Sequence, residues 1–340
     1  MMIPETDLAA IDAALAPYWA ALDGARLFVT GGTGFIGRWM LEALARAPIT
    51  VFATVLTRDP AGYAARAPHL AARFPGVKGD ILQFEPPVGP FTHVIHGATD
   101  ASAALTANDP RRMFDTILAG TSAAAEVARR DGARFLLMSS GAVYGVQPPV
   151  LTHVDESWTG GPDVRDPRSS YGEGKRAAET LTTIYHRQLG IETVSARIFA
   201  LLGPGLSLDT HFAAGNFIRD AIAGRRIVVE GSGEAVRSYL YAADLAVWMW
   251  RLVISAAPGS TYNVGSEEAV SIAQLARRTA AVLGAPGVDV LGRPDPGWNP
   301  GRYVPSTAAI RRDLGLTTTV TLDDAIRRTA AANGWTSCSK

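Results

Sequence analysis

One cysteine, Cys338, stands in a chain of 340 residues. A lone thiol closes no intramolecular disulfide and builds no Cys-rich metal site, and its place near the end does not fit a prenylation box. Charge of one sign is also missing: 32 Lys and Arg balance 32 Asp and Glu. Net charge therefore points to neither nucleic acid nor a membrane surface as the main partner. Long apolar runs are absent, since the most apolar window, residues 245–257, is broken by Arg251 and is too short to span a bilayer. Glu5 and Asp7 replace the basic segment of a secretory signal, which predicts a cytoplasmic protein. The six histidines lack zinc-type spacing, with His93 and His96 on opposite faces of a strand, so no metal is expected. Internal repeats and low-complexity tracts are lacking too. What remains is a chain 47% hydrophobic, enough for a large core and two lobes.

The most informative segment runs from Arg26 to Gly37, where an apolar stretch turns directly into Gly31, Gly34 and Gly37, and residues 38–46 then read as a helix. Gly31 permits a tight turn, Gly34 lets a pyrophosphate approach the backbone, and Gly37 lets helix and strand pack closely. The helix start offers unpaired N–H groups to phosphates. A glycine triplet alone is a weak signal; following a strand and opening a helix, it predicts dinucleotide binding.

Leu8, Ile11, Leu15, Tyr18, Trp19 and Leu22 recur at helical spacing ahead of this segment, with Thr6 or Asp7 as expected cap. Residues 1–24 thus read as a helix packed on the core or on a second subunit. From Leu27 onward strands at 50–57, 77–82, 92–96, 135–139 and 193–199 alternate with helices at 103–130 and 173–189, a new helix starting near Pro110. Alternation of this kind predicts an α/β fold: a Rossmann-type doubly wound parallel sheet over residues 25–200, with parts of 238–265. After Gly203-Pro204-Gly205 the elements shorten, and residues 201–335 read as a smaller C-terminal α/β lobe over the strand ends.

A second constellation joins Ser139-Ser140-Gly141-Ala142-Val143-Tyr144-Gly145 to Ser170-Tyr171-Gly172-Glu173-Gly174-Lys175. Tyr171 and Lys175 are four apart on one helix face. A tyrosine ordinarily titrates near about 10, and a neighbouring ammonium is expected to lower that value, making Tyr171 an acid/base near neutrality. Ser140, at a strand end, is placed to donate a hydrogen bond to the same substrate oxygen.

With these motifs the chain resembles the extended short-chain dehydrogenase/reductases of the epimerase/dehydratase group, which act on nucleotide-linked sugars. The likeness runs from Leu27 to about Ala331. It takes in Gly79-Asp80-Ile81, His96-Gly97-Ala98, Arg197-Ile198-Phe199, Gly215 to Arg219, Arg237-Ser238-Tyr239, Asp244-Leu245 and Tyr262 to Gly265. The resemblance implies Tyr171 as catalytic acid/base, Lys175 holding the nicotinamide ribose, and Ser140 polarising the sugar oxygen. It implies cofactor contacts from Gly31, Thr33, Gly34, Phe35, Ile36, Gly37, Arg38, Thr57, Arg58, Asp80, Ile81 and Ala98. A nucleotide diphosphate sugar is implied under the C-terminal lobe, near Ser140, Asn216, Arg237 and Arg302. His211, just upstream of Asn216, is within reach of the sugar by position, but a lone histidine is more often structural. A homodimer is the expected assembly.

Within that group the 4,6-dehydratases carry Thr-Asp-Glu-Val-Tyr-Gly, and the decarboxylases keep the glutamate. Aligned on Val143-Tyr144-Gly145, this chain has Gly141 and Ala142 where the two carboxylates would stand. Neither can move a proton, which disfavours dehydration. Hydride transfer at sugar C4 remains, in a 4-keto-6-deoxy sugar reductase or a 4-epimerase. The alternatives are a dehydratase or decarboxylase with other acid/base residues, and a non-catalytic cofactor-binding regulator, though such proteins typically lack the tyrosine or the lysine. Cofactor choice turns on the end of the second strand, Thr57-Arg58-Asp59. An acid there binds the ribose hydroxyls of NAD. Thr57 stands near that place, and Arg58 is suited to pair with a 2′-phosphate, with Arg38 facing it. This predicts NADP, with NAD, held by Asp59, as the alternative.

Overall fold

The computed structural model describes residues 3–99, 103–209, 213–295, 297 and 299–336. Helix α1 (Glu5–Leu15) and a 3₁₀ turn (Trp19–Leu22) lead in, burying Leu8, Ile11, Leu15, Trp19 and Leu22. Neither Thr6 nor Asp7 caps α1: the chain enters the helix at Pro4, and Asp7 is wholly buried instead. Its carboxylate accepts from the Tyr241 hydroxyl and pairs with Arg328, so the expected cap is a long-range tie.

Strand β1 (Arg26–Thr30) opens the main sheet, followed by α2 (Phe35–Arg46), β2 (Phe52–Thr57), α3 (Pro60–Arg66), α4 (Pro68–Arg73), β3 (Gly76–Lys78) and β4 (His93–His96). The stretch expected as one strand to residue 82 ends at Lys78, because Asp80 folds back on the Leu82 N–H and closes a turn. The alanine-rich run divides into α5 (Ala103–Asn108) and α6 (Pro110–Asp131). Pro110 takes the first-turn position it tolerates, and the Asp109 carboxylate caps the Arg112 N–H. Strand β5 (Arg134–Ser140), α7 (Ser170–Leu189) and β6 (Thr193–Ile198) complete the alternation.

Short elements follow: β7 (Leu201–Leu202), α8 (Ala213–Ile222), β8 (Ile227–Val229), β9 (Val236–Arg237), β10 (Leu240–Tyr241) and α9 (Ala242–Ser255). Strand β11 (Ser260–Val264) returns to the main sheet beside β6. The chain ends with β12 (Val270–Ser271), α10 (Ile272–Leu283), β13 (Val288–Val290), β14 (Arg302–Tyr303), α11 (Ala308–Leu314) and α12 (Leu322–Ala331).

The seven-stranded sheet has the order β3-β2-β1-β4-β5-β6-β11, every pair parallel. The order reverses between β1 and β4, which puts a crevice beyond their carboxyl ends. Helices α1, α2 and α9 cover one face, with Trp19 edge-on to Trp250 at 5.4 Å between centroids and the Trp250 indole donating to the Met40 carbonyl. Helices α6 and α7 pack on each other and on β4 and β5. Strand β9 pairs with β12 and β14, setting a small second sheet. Among the described residues no helix is long and apolar enough to cross a membrane.

Candidate active site

A cleft of about 410 Å³ opens at the switch point, lined by Gly31, Thr33, Gly34, Thr57, Arg58, Asp80, Ile81 and Ala98 among others. The turn at its base is built for a close approach. Gly31 has φ +76°, and a Cβ there would lie 2.5 Å from the Gly97 carbonyl carbon. Gly34 precedes α2 with its own N–H bonded to the Gly31 carbonyl. A Cβ on Gly37 would meet the Gly31 oxygen at 2.3 Å. A side chain at Gly31 or Gly37 would force this backbone apart, so the loop fits a dinucleotide lying against a helix start. Phe35, Ile36 and Gly37 form the first turn of α2.

Arg38 and Asp59, both candidates at the cofactor, are engaged by the protein's own groups. Arg38 is turned into an ion pair with Glu42 at 2.7 Å, and Glu42 also meets His69 at 2.8 Å. The i,i+4 spacing on α2 explains the diversion: the carboxylate one turn on holds the guanidinium along the helix. Asp59, the candidate ribose ligand, accepts from the Gly62 N–H at 2.8 Å as the cap of α3. Arg58 lies 4.0 Å from Asp80 with its side chain 70% exposed, and Arg66, which sequence reasoning missed, lines the same cleft.

The far wall rests on a hydrogen-bond chain that fixes the tautomer of His96. Thr121 spends its proton on the Ile117 carbonyl at 2.7 Å, so it accepts from His96 Nε2–H at 3.2 Å. Nδ1 then accepts from Thr30 at 2.8 Å, and the Thr30 oxygen accepts from the Gly97 and Ala98 N–H groups. Burial pushes His96 down to about 3 and keeps it neutral. The chain pins the Gly97–Ala98 segment against β1.

Ser140 ends β5 and caps a 3₁₀ turn, accepting from the Ala142 N–H at 3.1 Å. Tyr171 and Lys175 begin α7, and Lys175 donates to the Met138 carbonyl at 2.8 Å and to Thr99 at 3.2 Å. Its Nζ is 6.0 Å from the centre of the Tyr171 ring. The expected lowering of Tyr171 by this ammonium is not what dominates. Burial pushes the phenol up, opposed by its hydrogen bond with Ser140, while burial pulls Lys175 down to about 8. Glu179, one turn beyond Lys175, opposes that fall; it is held by Ser139 and by a bidentate pair with Arg197.

Gly141 sits under the Phe199 ring: a Cβ there would lie 2.6 Å from Phe199 Cζ. Tyr303, from β14, packs on Phe199 with centroids 4.5 Å apart and ring planes tilted by 38°, and brings its hydroxyl to 3.4 Å from Ser140 Oγ. Neither aromatic was read as part of the site, since nothing local in sequence ties residue 303 to residue 140. Arg237 donates to the Val236 and Gly301 carbonyls, with burial lowering it and Tyr239 and Tyr303 beside it. Asn216 lies in α8, and its side-chain oxygen accepts from Arg219 at 3.3 Å. Arg302 donates to the Thr152 carbonyl at 3.5 Å. His211 lies outside the described residues.

Residues 27–265 match the NAD dependent epimerase/dehydratase family. The chain belongs to that family. UDP-glucuronic acid decarboxylase 1 of Xenopus tropicalis is 31% identical over 309 residues, covering 90% of this chain and 72% of that protein. The UDP-glucose 4-epimerase of Thermus thermophilus, solved with NAD, is 26% identical, with TM-score 0.74 over 91% of this chain and 99% of that one. RMD of Pseudomonas aeruginosa, solved with NADPH, has the same fold at 24% identity and TM-score 0.73, over 91% and 98% of the two chains. The protein is an enzyme of the extended short-chain dehydrogenase/reductase class.

Proposed function

We propose that the enzyme transfers hydride at C4 of a nucleotide diphosphate sugar, as a 4-keto-6-deoxy sugar reductase or a 4-epimerase, with NADP as cofactor. The observation that carries this reading is a Ser140–Tyr171–Lys175 centre whose neighbours Gly141 and Ala142 hold no carboxylate. The Phe199 ring lies over Gly141, so an acid there would require that ring to move. Tyr171 gives or takes the proton on the C4 oxygen, Ser140 donates a hydrogen bond to that oxygen, and Lys175 favours the phenolate by its charge. Bound against the glycine turn, the nicotinamide cofactor supplies or accepts the hydride. Arg237 is the donor best placed to meet the diphosphate, being half-buried beside Tyr239 and Tyr303.

NADP is favoured because Asp59 already caps α3 and Arg58 and Arg66 flank it, their side chains 70% and 63% exposed. Arg58→Ala is expected to weaken NADP binding about tenfold or more and NAD binding little, since only NADP carries the 2′-phosphate. Calorimetric titration of both cofactors checks this. Equal losses, or a wild type preferring NAD, would overturn the assignment.

A second reading, decarboxylation of a nucleotide-linked uronic acid, is favoured by the Xenopus relative. It begins with the same C4 oxidation, after which a β-keto acid loses carbon dioxide. One experiment separates the readings: UDP-linked glucose, galactose, glucuronate and 4-keto-6-deoxyglucose are each incubated in deuterated water and followed by mass spectrometry. An isomer of unchanged mass, resolved by chromatography before the mass spectrometer and formed with no added cofactor, or a ketone gaining two hydrogens at the expense of NADPH, is the expected result. Carbon dioxide release from the glucuronate would establish the second reading. Loss of water with solvent deuterium in the product would show that other residues replace the missing carboxylates.

A further inference from the structure

Ser140 is surrounded by more hydroxyl chemistry than the catalytic reading uses. Its Oγ accepts from the Ala142 N–H at 3.1 Å and lies 3.4 Å from the Tyr303 hydroxyl. That hydroxyl is also 3.3 Å from the Ile198 carbonyl oxygen. A phenol has one proton, and a carbonyl can only accept. The Tyr303 proton therefore serves either Ile198 or Ser140. While it serves Ile198, the Tyr303 oxygen is itself an acceptor open to the Ser140 proton, beside the Tyr171 hydroxyl that also bonds Ser140.

We propose that Tyr303 is a positioning residue for Ser140: its hydroxyl swings from the Ile198 carbonyl to Ser140 Oγ when a sugar oxygen takes the Ser140 proton. No proton changes owner in this step; two hydrogen bonds exchange partners. A hydroxyl that receives a hydrogen bond is a stronger donor, so Ser140 polarises the sugar oxygen more with Tyr303 behind it. The ring is fixed for this task by its tilted packing on Phe199 and by the pairing of Tyr303 with Arg237 across β14 and β9. Burial pushes the phenol well above its ordinary value, so it stays a donor throughout the working range. Ser140 and Tyr171 come from the main sheet and its helices, whereas Tyr303 comes from the small second sheet. The sugar-side lobe thereby contributes one group to the reacting centre, and the hydrogen bonds complete only when β14 is seated.

The inference rests on Ser140 and Tyr171 being the catalytic pair, and the test keeps the two apart. Tyr303→Phe retains the ring and its packing on Phe199 and removes only the hydroxyl. With UDP-4-keto-6-deoxyglucose and NADPH, or UDP-glucose if the enzyme is the epimerase, kcat is expected to fall about tenfold, as for loss of one hydrogen bond in a dry site. KM is expected to stay within about threefold and cofactor affinity to be unchanged. In a Ser140→Ala background the same change should cost nothing further, because the group it serves is gone. A structural role would leave the two losses multiplicative. Wild-type kcat in Tyr303→Phe, or full multiplicativity in the double variant, overturns the proposal. If Tyr171→Phe also keeps wild-type turnover, it is the reading of the catalytic pair that falls.

Discussion

Tyr171→Phe is expected to lose turnover by about 100- to 10,000-fold while binding cofactor nearly as the wild type does. The substitution is close to isosteric: the ring packs against the apolar cluster formed by α6, α7 and the sheet, and phenylalanine keeps those contacts. Lys175 keeps its position as well, because its hydrogen bonds go to Met138 and Thr99 and not to the phenol. Only the proton and its Ser140 partner are lost. Binding and chemistry should therefore separate cleanly, with the cofactor dissociation constant and melting temperature near wild type and kcat collapsed. A variant retaining more than about a tenth of the wild-type rate would show that another group moves the proton. Tyr303, whose hydroxyl lies beside Ser140, is the nearest candidate.

The parts of this site that are local in sequence were legible in the sequence. A strand running into spaced glycines and a helix states its backbone requirements within a dozen residues, and the structure meets them at Gly31 and Gly37. Tyr171 and Lys175 are one helical turn apart, so their shared face follows from helix geometry alone. Residues whose partners lie far along the chain were not legible. Asp7 was read as a cap because nothing nearby announces Tyr241 and Arg328 as its partners. Tyr303 stands in a Pro- and Gly-rich stretch with no periodicity, and long-range ties carry it to Ser140: the pairing of β14 with β9 and the bonds of Val304 with Gln147 and Val154. The Arg38–Glu42 ion pair is local by contrast, since an i,i+4 spacing on one helix brings the two groups together. The expected phenol shift failed for a physical reason as well, since spacing brings the ammonium near but says nothing about how deeply both groups are buried.

Gly37→Val is expected to abolish cofactor binding at concentrations that saturate the wild type, and to lower the melting temperature. A Cβ at residue 37 would sit 2.3 Å from the Gly31 oxygen and 2.5 Å from Gly32 Cα. Both are backbone atoms, so no rotamer relieves the clash. Overpacking of this kind commonly costs about 1–3 kcal/mol, and the branched side chain adds to it. The strain falls on the turn that must lie against the pyrophosphate, so relief requires α2 to lift from β1 and carry the phosphate donors with it. Gly132→Ala provides the control. Gly132 ends α6 with φ +65° and open space around its missing Cβ, so alanine there meets only the left-handed backbone penalty of about 1–2 kcal/mol. If stability alone governed cofactor affinity, the two variants would lose it in step with their melting temperatures. Loss of binding in Gly37→Val at a temperature where its circular dichroism is still native, beside normal binding in Gly132→Ala, ties the glycine to the cofactor. Normal NADPH affinity in Gly37→Val would mean that the dinucleotide does not lie against this turn.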